Sequence, residues 1–199
     1  MKYSGFLPWV ARFEDNAIYA VDKTGLHHFE SPEIYSSFGY SFGEEAVLPQ
    51  YLYSSYSTST PMKNIVQQMD RPEVYLVSAG RKQHISTQQA YDSLGAPIYS
   101  SRPFVRVSSD YTSSIPDGAP ILIPGSIVKN NDNGLIYIFS ENSLRNITID
   151  AYQTIGLNID YFSNSSLLSL IPTDQDSLGI FITDSSGKKY MMDNGNKII

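Results

Sequence analysis

Between residues 126 and 139 the chain alternates short apolar runs with a polar break: Ser126-Ile127-Val128-Lys129, then Asn130-Asn131-Asp132-Asn133-Gly134, then Leu135-Ile136-Tyr137-Ile138-Phe139. β-Branched and aromatic residues suit a pleated, half-buried surface, and Asn and Gly accept the positive φ of a tight turn, so this pattern predicts a hairpin. A second break at Glu141-Asn142-Ser143 leads into a third strand, with counterparts at Ser78-Ala79-Gly80 and Asp193-Asn194-Gly195. Elsewhere the period changes from strand to helix. Ser31-Pro32-Glu33 offers an N-cap serine, a first-turn proline and an acid near the positive helix end, and Gly39 offers the stop. Thr87 and Thr148 are the matching caps, and Gly95 and Gly156 the matching stops.

These signals recur in one frame. Tyr19, Tyr75, Tyr137 and Tyr190 lie 56, 62 and 53 residues apart. Val10, Val66, Val128 and Phe181 precede them by nine positions, and Tyr35, Tyr91 and Tyr152 follow the first three. Such self-similarity is the mark of a duplicated supersecondary unit. The expectation is an α+β fold of tandem repeats, antiparallel β-hairpins each followed by a short helix, at residues 1–62, 63–123 and 124–177, with 178–199 a repeat truncated to a capping hairpin. The registered tyrosines are expected in the core, because their spacing tracks the fold. Val47-Leu48-Pro49, Phe104-Val105-Arg106-Val107 and Leu167-Leu168-Ser169-Leu170-Ile171-Pro172 read as a further short strand and connector.

Composition narrows the partners. With 41% apolar residues the chain can form a real core, and with only 17% charged residues its surface rests on Ser, Thr, Asn, Gln and Tyr. A net charge of −6, from fourteen Lys and Arg against twenty Asp and Glu, argues against nucleic acid, whose binders cluster basic residues. No cysteine is present, so disulfides and thiolate metal sites are excluded. No stretch has the apolar length of a membrane span or of a signal-peptide core.

The second copy carries a resemblance: Glu73-Val74-Tyr75-Leu76-Val77, Gly80-Arg81-Lys82-Gln83-His84-Ile85, Tyr91, Leu94-Gly95, Val107-Ser108 and Ile115-Pro116-Asp117-Gly118. It resembles a tandem tyrosine-rich repeat of exported bacterial cell-surface and cell-wall-associated proteins. The resemblance implies an extracellular accessory module without catalysis, and it assigns no ligand. The Arg81-Lys82 pair becomes Leu26-His27 in the first copy.

Candidate chemistry is sparse. His27 and His28 are adjacent on a strand and point to opposite faces, so they cannot jointly chelate one metal, and His28 and His84 hold equivalent polar strand positions. Asp132-Asn133-Gly134, Asp174-Gln175-Asp176 and Asp193-Asn194-Gly195 fall short of a calcium-loop frame and read better as turns. Ser126-Ile127-Val128-Lys129 and Ser185-Ser186-Gly187-Lys188 echo S-x-x-K without its partner motifs, and no nucleophile elbow or phosphate loop is present. No catalytic, metal or cofactor role is therefore assigned. Aromatic residues outside the frame remain as ligand-binding candidates: Tyr51, Tyr53 and Tyr56, with Trp9, Tyr99 and Tyr111. Tyr51-Leu52-Tyr53 on an extended segment would present two rings on one face, fit to stack on a sugar or on protein. The reading is a noncatalytic extracellular binding, adhesion or display module at a bacterial surface, recognising glycan or cell-wall polymer. The alternative is a structural repeat assembling with neighbouring copies into a layer or filament.

The hairpin of residues 178–199 is expected to shield the third copy, since a lone hairpin is marginal in water. Removing those residues should lower the melting temperature or cause aggregation. A monomer melting at an unchanged temperature would make the segment a mere tail.

Overall fold

A computed structural model describes residues 10–94, 104–178, 180–183, 185–193 and 196–198. The protein is α+β, built from small, mainly antiparallel sheets and short helices. In the first sheet β1 (Val10–Arg12), β2 (Ile18–Asp22) and β3 (Gly25–His28) form an antiparallel meander. Helix α1 (Pro32–Ser37) follows, and β4 (Ala46–Val47) returns parallel to β1, giving the order β3-β2-β1-β4. A 3₁₀ helix, Gln50–Ser55, comes next.

The second sheet repeats that order. Strands β5 (Ile65–Gln68), β6 (Val74–Ser78) and β7 (Arg81–His84) precede α2 (Gln88–Ser93), and β8 (Val105–Val107) pairs parallel with β5. Helix α3 (Ser109–Ser114) follows. In the third sheet β9 (Ile127–Asn130), β10 (Ile136–Ser140) and β11 (Ser143–Ile147) precede α4 (Ile149–Ile155), β12 (Tyr161–Ser163) pairs parallel with β9, and α5 (Ser165–Leu168) follows. Strand β13 (Thr173–Leu178) then runs parallel to β11, so the order is β12-β9-β10-β11-β13. The fourth sheet is a meander of β14 (Ile180–Thr183), β15 (Lys189–Asp193) and β16 (Asn196–Ile198).

Local chemistry explains these elements. Ser31, Thr87 and Thr148 each cap a helix, accepting from the backbone N–H three residues on, at Ile34, Ala90 and Ala151. Gly39 and Gly156 follow α1 and α4 with φ of 84° and 69°, as helix stops require; Gly95 lies outside the described residues. The turns at Ala79-Gly80 and Glu141-Asn142 place both central residues at positive φ, the two-residue form that matches strand twist.

Three expectations need correction. The nine-residue spacing is a true register for Val66 with Tyr75 and Val128 with Tyr137, but Ala11 faces Tyr19 and Ile182 faces Tyr190, so Val10 and Phe181 are displaced by one rung. Tyr19 and Tyr35 are buried, whereas Tyr75, Tyr91, Tyr137 and Tyr152 are only half-buried. Residues 167–168 belong to a helix, not a strand, since Asn164 caps them by accepting from Leu167 N–H. Ser108 does the same for α3, and together with the 3₁₀ helix these give a second helical turn after each fourth strand.

The chain divides into two compact units, residues 1–85 with 95–118, and residues 86–94 with 119–199. In the first, Val10, Phe29, Tyr35 and Phe38 pack in one cluster with Val66, Val77, Val105 and Tyr111, so its two sheets share a core. A smaller cluster of Phe13, Tyr19, Val21 and Leu26 carries Tyr53 and Tyr56 at its edge. In the second unit, Leu122, Val128, Leu144, Leu168 and Ile171 form one cluster, and Ile127, Ile136, Ile147 and Ala151 another.

Inside the first unit the end of α1 meets the β6–β7 turn backbone to backbone. Gly80 N–H donates to the Ser37 carbonyl at 2.9 Å, and a Cβ on Gly39 would lie 2.9 Å from Gly80 Cα. Gly39→Val should therefore cost about 2 kcal/mol or more, combining left-handed strain with a backbone clash. An unfolding midpoint equal to that of the parent chain would refute this account of the contact.

Candidate functional site

The 41–45 loop of the first unit is pinned unusually well for an exposed segment. Arg12 Nε lies 2.9 Å from Glu45 Oε1, and Gly43 N–H donates to Glu45 Oε2 at 2.7 Å. Tyr35 hydroxyl donates to the Ser41 carbonyl at 3.1 Å and reaches Glu45 Oε2 at 3.4 Å. Burial, joined by the charge of Glu45, raises the Tyr35 hydroxyl to about 12, so it stays a donor. Ser41 N–H donates to Glu44 Oε2, closing the loop. The fixed loop holds Phe42 65% exposed with its ring 4.9 Å from that of Tyr35.

Beside this ring is a groove of about 200 Å³ lined by Asn16, Ile18, His28, Glu30, Tyr35 and Phe42, among others. Its polar groups are fixed too. Asn16 sits at φ 63° and accepts from Arg12 Nη1 at 2.9 Å, while Glu30 pairs with Lys63, whose hydrogen bond and charge hold that carboxyl below its usual range. His28 rests against Tyr19 with ring centroids 5.3 Å apart, an arrangement repeated by His84 against Tyr75 at 5.4 Å. An exposed ring beside fixed carboxylate, amide and imidazole groups can stack on a flat apolar face and hydrogen bond to hydroxyls around it.

The aromatic candidates from the sequence do not come together as one surface. Residues 50–55 are a 3₁₀ helix, not an extended segment, so Tyr51 and Tyr53 point apart. Tyr51 is 74% exposed, and Tyr53 instead packs edge-on against Phe13 and Tyr19 at 5.3 and 5.7 Å. Tyr56 is half-buried against the same cluster. Tyr111 is fully buried, with its hydroxyl turned to Tyr40, and is unavailable to a ligand. Trp9 and Tyr99 lie outside the described residues. Phe42 and Asn16 escaped sequence reasoning because nothing in Ser41-Phe42-Gly43 or Asp15-Asn16 marks a pinned loop.

The adjacent histidines do point opposite ways. His27 is fully buried: its Nδ1 donates to the Thr60 carbonyl at 2.6 Å, and its Nε2 lies 2.6 Å from Thr24 Oγ1 and 3.4 Å from Asp22 Oδ1. Asp22 Oδ1 accepts from Thr24 N–H and Oγ1, and its Oδ2 accepts from Ser108 N–H at 2.6 Å. Every oxygen is engaged with protein, which suits a structural clasp better than a reacting group. Asp132 is likewise spent on Ser165 N–H, and among the described residues no group of three or more His, Asp or Glu could hold a metal ion.

No family model and no curated protein matches the chain. Among solved structures it is similar to a chain of the periplasmic assembly from the ESX-5 inner membrane complex, at 10% identity and a TM-score of 0.25, covering 88% of this chain and 61% of that one. A chain of an intact ESX-5 inner membrane complex matches at 9% identity and a TM-score of 0.26, over 86% of this chain and 57% of that one. This chain thus spans less than two thirds of either, and likeness at that level carries no functional argument. Among the described residues no helix is long and apolar enough to cross a membrane.

Burial pushes the Asp22 carboxyl up, but hydrogen bonds from His27, Thr24 and Ser108 outweigh it and hold the group well below the usual carboxylate range. With the folded value depressed, its stabilisation is complete above the unfolded value near ~4 and drains as pH falls below it. Asp22→Asn should cost about 1–3 kcal/mol at neutral pH and flatten the acid limb of the stability profile. Parallel acid limbs for parent and variant would show that the clasp is energetically idle.

Proposed function

We propose that the chain is a noncatalytic binding module made of tandem copies of one hairpin-helix unit, displayed at a bacterial cell surface and recognising glycan or cell-wall polymer. The observation that carries this reading is the Phe42 ring, held in solvent by the Arg12–Glu45 pair at the mouth of a groove with fixed polar groups. A pinned loop loses little freedom on binding, so a weak stacking contact counts more fully toward affinity.

The duplicated-unit part rests on equivalent pairings. Tyr19 faces His28, Tyr75 faces His84 and Tyr137 faces Asn146, each in a sheet whose fourth strand lies parallel to its first. Resemblance to exported tyrosine-rich repeats suggests the surface location, and the ligand class rests on the exposed ring beside the polar groove.

Phe42→Ala should weaken retention on the bound glycan or on isolated cell wall about three- to tenfold, the range expected for one stacking contact. The melting temperature should not move, because the ring lies outside the core. Phe162→Ala, another exposed ring in the second unit, serves as the control and should bind as the parent does. Equal binding by all three proteins, or no glycan retained by the parent, would end the proposal.

A further inference from the structure

The groove and the 3₁₀ helix lie at one end of the first sheet, the end where β1 and β4 finish and β2 begins. Ile18, which lines the groove, faces Arg12 on β1, and Arg12 faces Val47 on β4, so the three form one row across neighbouring strands. Side chains paired across strands share a face, and the exposed Val47 therefore carries the groove's side of the sheet out to its edge. Arg12 fixes the centre of that row through its contacts with Asn16 and Glu45.

Tyr51 is tied to the same end. Leu48 N–H donates to the Arg12 carbonyl at 2.9 Å, and Leu48 and Leu52 pack into the cluster of Phe13, Tyr19 and Val21. Glu14 N–H donates to Gln50 Oε1 at 3.2 Å and Gln50 N–H donates to Glu14 Oε1 at 3.4 Å, a reciprocal clasp between the β1–β2 turn and the start of the 3₁₀ helix. Asn16 N–H closes that turn on the Phe13 carbonyl at 3.0 Å. The turn thus holds Asn16 in the wall of the groove and, through Gln50, the exposed ring of Tyr51.

Two exposed rings, each on a backbone that its own hydrogen bonds hold, therefore flank one turn, with the Phe42 groove on its β2–β3 side and Tyr51 on its β4 side. Strands β2 and β4 are two strand spacings apart, about 10 Å, so one sugar ring cannot cover both stacking positions and a chain of several can. Charge narrows the chain further. Glu14, Asp15, Glu30 and Glu44 lie around this end, while Arg12 and Lys63 beside them are each held by a carboxylate. Such a field disfavours a polyanion. We infer that Tyr51 is a second stacking site of the groove, and that the ligand is an uncharged oligosaccharide of about three or more sugars running from Phe42 across the turn to Tyr51. This rests on the glycan reading of the groove and adds to it a length and a charge.

Chitooligosaccharides, uncharged chains of N-acetylglucosamine, test this by NMR titration of the isotope-labelled full chain. Affinity should rise from monomer to hexamer, and the hexamer should shift the amide resonances of both Phe42 and Tyr51. Tyr51→Ala should weaken the hexamer about three- to tenfold and leave the monomer and the melting temperature unchanged, whereas Phe42→Ala should weaken every length. Tyr51→Phe keeps the ring and should bind as the parent does. Hyaluronan of the same length, which carries carboxylates, should bind about tenfold more weakly than the chitin hexamer. Phe42-dependent binding with no gain from length, a Tyr51→Ala variant equal to the parent on the hexamer, or an equally tight anionic chain would overturn this inference and leave the glycan reading of the groove standing. A parent chain that binds no length would remove both.

Discussion

Closing the edges of very short sheets is the constraint on which this structure depends. Strands of two to six residues leave most of their backbone groups near an edge, where each must find a partner or face water. The chain answers by laying a fourth strand parallel to the first strand and a covering segment parallel to the third. Hydrophobic burial goes with it: Val105 and Val107 of the added strand β8 join Val66, Val10 and Phe29 in one core.

Close backbone packing is the second requirement, and it explains particular glycines. Gly25, at φ 131°, lies where a Cβ would come 2.1 Å from the Ser57 carbonyl oxygen, the same oxygen that accepts from Leu26. In the second sheet the glycine is on the covering segment instead: Gly118 sits close against Arg81 and Gln83. In both, absence of a side chain lets the covering segment approach within hydrogen-bonding distance.

Much of this architecture was legible in the residues, and its limits have physical causes. The cap serine and threonines, the hairpin turns and the strand-to-helix change were readable because each depends on neighbours within four positions. The one-rung displacement of Val10 was not, because spacing between two strands shifts whenever the turn gains or loses a residue. The helix at residues 165–168 was obscured by its own apolar run, Leu167-Leu168, which reads equally as a strand. For the candidate site, the aromatic surplus drew attention to Tyr53 and Tyr111, yet burial claimed both. Phe42 gained its place from Arg12 and Glu45, a pairing across 33 positions that no local pattern announces.

The Asp22 carboxylate has a kinetic meaning as well as a static one. Its bond to Ser108 spans 86 positions, far more than any strand pairing within either of the two sheets it ties together. Contacts so distant along the chain carry the largest loop-closure cost until their surroundings are in place, so this one is expected to form after both sheets have assembled. It is a late latch. Once shut, it couples the β2–β3 turn to the start of α3, a tie that favours the two sheets opening together.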